Sequence, residues 1–131
     1  MVISNKNIIN QLFEELSTFD CKNFGSICDP NIIMHFSDNT QVSGLDAFKK
    51  KLNDNIFSRC ASFSRTIDFS ITEEFDTEQR IAVRSFTKAA FKDNPNQIFE
   101  FYDFTFFKIN KDNCICELWQ GAGTFYHFFN K

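Results

Sequence analysis

The sequence predicts an α+β domain in which helices pack on one face of a curved, mostly antiparallel sheet. Three observations carry this. Apolar residues recur every three to four positions up to about residue 57, and from residue 60 the period falls to two. The period-two segments are joined by short polar turns, the connections of antiparallel hairpins. Helices grouped ahead of strands separate this class from alternating α/β folds.

The elements follow in order. Between Asn5 and Phe19 the residues Ile8, Ile9, Leu12, Phe13, Leu16 and Phe19 mark one helical face, with Ser4 placed to cap the first free N–H groups. Asp20 is placed to cap a short second helix through Phe24 to Ile27, which Gly25 weakens and Asp29-Pro30 ends. "NIIMHFS" (31–37) is a short β-rich run and "SDNT" after it is turn material. In "SGLDAFKKKLNDNIF", Ser43 and Asp46 form a capping-box-like pair, while Leu45, Phe48, Leu52 and Ile56 mark the face of a third helix. In "FSRTIDFSITEEF" the odd positions Phe63, Ile67, Phe69 and Ile71 are apolar and the even ones polar, which predicts a strand with one wet face. "RIAVRSFTKAAF" (80–91), "QIFEFYDFTFFKI" (97–109) and "CICELWQGAGTFYHFF" (114–129) are three more strands, each preceded by a turn.

Composition bounds the function. A chain of 131 residues, 43% apolar and 24% charged, makes one domain over 1–131 and buries roughly two thirds of the surface its unfolded form exposes. The net charge is −3 and the only basic run is Lys49-Lys50-Lys51, so the stripe that phosphate backbones require is missing and no nucleic-acid partner is expected. Five cysteines stand at 21, 28, 60, 114 and 116 without a C-x-x-C pair or a neighbouring His at ligand spacing, which predicts reduced thiols, no metal site and a cytoplasmic chain. Cys114 and Cys116 alternate and are expected as small buried thiols. No segment approaches the ~20 apolar residues of a membrane span, and the start, "MVISNKNIIN", has no basic-then-apolar leader. The outlier is phenylalanine, 19 residues. That is more aromatic surface than a two-layer domain of this size hides, so rings line a cavity or fill an interface.

Asp20, "CDPNIIMHFSDNTQVSGLDAFKKKL", the long hairpin strands and the I-x-E-x-W ending at Ile115, Glu117 and Trp119 resemble the nuclear transport factor 2-like superfamily. That superfamily includes ketosteroid isomerase, scytalone dehydratase and the SnoaL-like polyketide cyclases, and the resemblance covers nearly the whole chain. It implies a cone-shaped, cystatin-like sheet with three helices of the N-terminal half on its concave face, enclosing an apolar cavity. It also places His35 where isomerase-like members carry a catalytic carboxylate. A histidine there would take and return a proton near neutral pH. Thr105 falls where those members carry the acid that stabilises an oxyanion. Gln120 falls where cyclase-like members carry an aspartate, and it would donate a hydrogen bond to a carbonyl. The Tyr expected on the first helix is absent, the matching stretch being Gln11, Leu12 and Phe13.

Asp103 sits inside "FYDFTFF". By strand alternation it shares a face with Phe101, Thr105 and Phe107, the cavity side. A carboxylate there must be paired, hydrated or shifted in pKa. Two readings stay open: an acid–base pair with His35, or an internal ion pair with Arg65 or Arg84 or contact with water at the mouth of the cone. Phe36, Phe101, Thr105, Phe107 and Gln120 are the expected ligand-binding residues. Tyr102, Phe104, Phe106 and Trp119 take the opposite face. Through this surface the resemblance implies a homodimer; cover by the C-terminal "TFYHFF" is the alternative, and His127 is expected to have no role.

Two functions follow as expectations. One is an enzyme acting on a small, largely apolar molecule, a cyclase, isomerase or dehydratase working by proton transfer without metal or organic cofactor, with His35 as base and Asp103 as its partner. The other is a non-catalytic ligand-binding or protein-interaction module that dimerises through its sheet.

Overall fold

The computed structural model describes residues 5–36 and 40–121. The chain runs α1 (Lys6–Thr18), α2 (Phe24–Ile27), β1 (Cys28–His35), β2 (Gln41–Ser43), α3 (Leu45–Leu52) with a π turn over Asn53–Phe57, β3 (Cys60–Glu74), β4 (Glu78–Phe91), β5 (Phe99–Asn110) and β6 (Ile115–Gln120). One sheet holds all six strands in the order β2-β1-β6-β5-β4-β3. Every pairing is antiparallel except β1 with β6. The parallel pair follows from the path: α3 carries the chain to the far edge at β3, and three hairpin steps bring it back beside β1. The architecture is the expected α+β one.

The core lies between the helices and one face of the sheet. Ile9, Leu12, Phe13 and Leu16 of α1, Phe24 of α2 and Phe48 and Leu52 of α3 are buried with Ile81, Val83, Phe107, Ile109, Ile115 and Leu118 of the strands. Phe24 and Phe48 stack with ring centroids 5.7 Å apart. Each such side chain contributes about 1.5–3 kcal/mol by leaving water. On β4 and β5 the alternation is clean: odd-numbered residues from 81 to 89 and from 101 to 109 are buried, so the phase of both strands is fixed by which side chains the helices cover.

Several local expectations are corrected. Ser4 lies outside the described residues. Asn5, at the N-cap of α1, makes no side-chain cap; its backbone N–H and Nδ2 donate to Gln79 Oε1 at 3.3 and 2.9 Å and tie the helix start to β4. Asp20 does not cap α2. Its Oδ1 accepts from the Lys22 N–H at 2.9 Å, and the carboxylate that reaches α2 is Glu15, whose Oε1 accepts from the Asn23 N–H at 3.0 Å. The Ser43–Asp46 box does not form, because Gly44 at φ 96° is the N-cap of α3 and no side chain bonds there; a positive φ is the conformation glycine adopts without strain. "QVS", where no strand is expected from the sequence, pairs with β1 as a short edge strand. The fourth long strand is described as far as Gln120; "TFYHFF", His127 and residues 37–39 of the "SDNT" turn lie outside the described residues. All five cysteines are free, Cys28 and Cys60 buried and the rest half-buried.

The main correction concerns β3. It pairs Phe63 with Ala89, Arg65 with Thr87 and Ile67 with Ser85, then slips so that Phe69 pairs with Arg84 and Ile71 with Ala82. Asp68 is the extra residue of a β-bulge, and an extra residue inverts the alternation beyond it. Phe63 is buried and Ile67 half-buried towards the core, whereas Phe69 and Ile71 are each 56% exposed. The four apolar residues expected on one face are divided between two.

Candidate functional site

Under α1 and α3, against the inner face of the sheet, lies a cavity of about 30 Å³. That is room for about two waters, where sites for drug-sized ligands measure about 300–1,000 Å³. Its walls are apolar, from Leu12 and Phe13 to Phe48, Phe107 and Leu118, with three polar groups among them: Arg65, Thr105 and Gln120.

Arg65 dominates the site's electrostatics. It stands on the inner face of β3 ahead of the bulge and reaches across β4. Its Nε donates to Thr87 Oγ1 at 2.9 Å and its Nη2 to Asp103 Oδ2 on β5 at 2.8 Å. Asp103 Oδ1 also accepts from the Phe104 N–H at 3.0 Å. The guanidinium packs over the rings of Phe63 and Phe13, 5.0 and 5.6 Å from their centroids. The pair is nearly dry, with side chains 10% and 1% exposed. Burial pulls the Arg65 pKa down and the Asp103 carboxylate pulls it back up. A planar fork with several donors suits this place, since it bonds two acceptors at once and stacks on rings.

Of the two readings for Asp103, the arginine is its partner. His35 lies on the other face of the sheet. Ile32 and Met34 take the buried positions of β1, and His35 pairs in register with Trp119 of β6. Its Nε2 lies 2.6 Å from Glu117 Oε2, and its ring stacks on Trp119 at 5.1 Å with planes 3° apart. The expected His35–Asp103 acid–base pair therefore does not form, because β1 enters the sheet in the phase that turns His35 outward. Thr105, Phe107 and Gln120, named as ligand-binding residues, are among those that line the cavity. Phe101 is buried but is not among the lining residues. Phe36 sits half-buried at the edge of the core, with Lys51 Nζ 4.8 Å above its ring. Among the described residues no group of His, Cys, Asp or Glu is arranged to hold a metal ion, and no helix is long and apolar enough to cross a membrane.

The residue that sequence reasoning underweighted is Arg65, named there only as one of two partners for Asp103. Its signal was its place between Phe63 and Ile67 at the apolar period of β3, which makes it an inward-pointing cation.

The outer face carries a second candidate site. One row crosses the sheet through Ile71, Ala82, Phe106, Trp119 and His35, and the next runs through Phe69, Arg84 and Phe104. Phe86 and Tyr102 pair in a third row and meet edge to face at 5.3 Å. Six large apolar side chains of this face, Phe69, Ile71, Tyr102, Phe104, Phe106 and Trp119, are 38–56% exposed. Charged rows of mixed sign border them, with Glu73, Arg80, Lys108 and Glu117 in register on one side and Lys88 opposite Glu100 on the other.

No protein-family model matches the sequence, and neither does any curated protein. Solved structures do match in shape. A nuclear transport factor 2-like protein of Salmonella enterica superposes with TM-score 0.77 at 10% identity, over 90% of this chain and 89% of that one. A protein of Novosphingobium aromaticivorans provisionally named a scytalone dehydratase gives 0.75 at 13%, over 88% and 78%. A provisionally named SnoaL-like polyketide cyclase of Shewanella denitrificans gives 0.64 at 10%, over 89% and 88%. Identities this low speak for the arrangement of helices and strands and not for the chemistry they support. The chain has the nuclear transport factor 2-like fold.

Proposed function

We propose that the domain is a binding module that pairs with a second copy of itself through the outer face of its sheet. The observation that carries this is the aromatic face. About half of each of six side chains, at roughly 200 Å² apiece, leaves roughly 600 Å² of apolar surface in water, the upper end of what monomers expose. A stable interface needs roughly 800 Å² per partner, so this face supplies most of one. The bordering rows carry both signs, which suits a surface that meets its own copy about a two-fold axis. Sedimentation equilibrium between 1 and 100 μM tests the reading. The wild type is expected as a dimer and Phe106→Lys as a monomer with an unchanged circular dichroism spectrum; a monomeric wild type at the top of the range overturns it.

A second reading rests on the cavity. Arg65, Thr105 and Gln120 converge on an apolar space as groups that would orient one oxygen of a small, largely apolar molecule, and the names of two structural neighbours point to cyclase or dehydratase chemistry. The binding module stands first because the described lining contains no histidine or carboxylate to move a proton.

A further inference from the structure

Arg84 occupies an awkward place. Its strand neighbours on the outer face are Phe69 of β3 and Phe104 of β5, and its guanidinium lies 5.4 Å from the Tyr102 ring centroid. A lone cation in the middle of an aromatic face opposes burial of that face, because its hydration is lost when a partner arrives. The bulge residue removes the obstacle. Asp68 Oδ2 lies 2.6 Å from Arg84 Nε and 2.5 Å from Nη2. Both side chains are still partly in water in the single chain, 48% exposed for Arg84 and 34% for Asp68.

The extra residue changes what surrounds that pair. Alternation alone turns Asp68 to the outer face, next to inward Ile67; the slip then inverts β3 so that Phe69 and Ile71 join it there and extend the aromatic rows to the edge of the sheet. Without the slip, Phe69 and Ile71 would stay on the face of Phe63 and Ile67. Arg84 would then keep Asp68 opposite it but lack the Phe69 ring.

We propose that the Asp68–Arg84 pair is the specificity-determining centre of the self-association face, neutral as a unit and buried against a second copy together with the rings around it. This rests on the reading that the outer face pairs with a second copy. A second copy is the occupant that the charges favour. Arg84 is paired with Asp68 and Lys88 with Glu100, while Arg80 and Lys108 are paired with Glu78 and Glu117, so every cation of the face is met within the chain and no run of one sign is left to select a strongly acidic or basic partner. An arginine beside a tyrosine ring is also among the residue types in which binding energy concentrates.

Double-mutant analysis of the dimer dissociation constant tests the proposal. Asp68→Asn, which strands the cation, is expected to weaken association about 30-fold or more, and Arg84→Met, which strands the anion, by a similar factor. The double variant Asp68→Asn/Arg84→Met is expected to return to within about fivefold of wild type, since it leaves no unpaired charge to be buried. The same substitutions in the Phe106→Lys background are expected to leave the thermal midpoint unchanged, which separates an interface effect from loss of the bulge. If the wild type is a dimer that Phe106→Lys dissociates, but Asp68→Asn associates like wild type or the double variant is no better than the singles, this proposal fails and the dimer stands. A wild type that never dimerises overturns both.

Discussion

The two faces of β5 are built from alternate residues of one heptapeptide, and each carries what polarity alone would assign to the other. The inner face, Phe101, Asp103, Thr105 and Phe107, takes a carboxylate into the driest part of the molecule; the outer face, Tyr102, Phe104 and Phe106, leaves its rings in water. Polarity does not sort these residues; partners do. Asp103 is tolerated inside because Arg65 and the Phe104 N–H satisfy its two oxygens. The rings outside stay about half exposed, beside other rings and Arg84. A buried charge with its partner is a finished structure, and a ring in water is an unfinished one.

Removing one member of the inner pair should give the largest effect. Asp103→Ala leaves an uncompensated guanidinium beneath α1 and is expected to cost about 3–5 kcal/mol in urea denaturation. Lys88→Ala, which breaks an outer pair at 3.8 Å with both partners 54% exposed, should cost less than about 0.5 kcal/mol. Similar losses at the two sites would erase the distinction between the faces.

Next come the rings themselves. Phe107→Ala empties a site in the core, where Phe107 meets Phe13 edge to face at 6.3 Å, and is expected to cost about 3 kcal/mol or more. Phe106→Ala, one residue along, should change the stability of the isolated protomer by less than about 1 kcal/mol. It should appear instead in the concentration dependence of the melting point. A Phe106→Ala loss as large as that of Phe107→Ala at every concentration would mean that the outer face is covered by its own chain.

Of the three buried groups, the thiol of Cys28 should give the smallest effect. Cys28 is 1% exposed, and burial first, then its neighbours Cys114, Glu15 and Cys21, push its pKa up to about 12. Below pH 9 the thiol is protonated in both folded and unfolded chains and contributes nothing to the pH dependence. Above pH 9 the unfolded chain ionises and the folded one does not, so stability falls as pH rises towards 12. The loss should be on the order of 2 kcal/mol by pH 11, read as the difference between wild type and Cys28→Ala over pH 8–11. Parallel curves would place Cys28 in contact with water.

How much of this was legible varied with the strength of the pattern. Sustained periodicity made α1, α3, β4 and β5 readable, and alternation along "FYDFTFF" correctly put Asp103 inside. His35 was not readable, because Ile32, Ile33 and Met34 are all apolar and a run without alternation has no phase. The slip at Asp68 was hidden as well: no glycine or proline marks it, and the side-chain pattern continues unbroken from Phe63 to Ile71 while the pairing shifts beneath it. Arg65 stood at an inward position in plain view, but its choice of Asp103 depends on contact across an intervening strand. Within the cavity, Thr105, Phe107 and Gln120 were found and the dominant cation was underweighted.

Arg65 also has a mechanical consequence. Backbone hydrogen bonds join β3 only to β4, so as an edge strand it is the part of the sheet that should peel first. The Arg65 side chain is a rivet that skips one strand and fastens β3 to β5. It fastens only the stretch before Asp68, and the bulge interrupts the ladder just beyond it. The two halves of one strand are therefore held differently. The first half is fastened across β4 to the interior, and the second, bearing Phe69 and Ile71, is held through β4 alone.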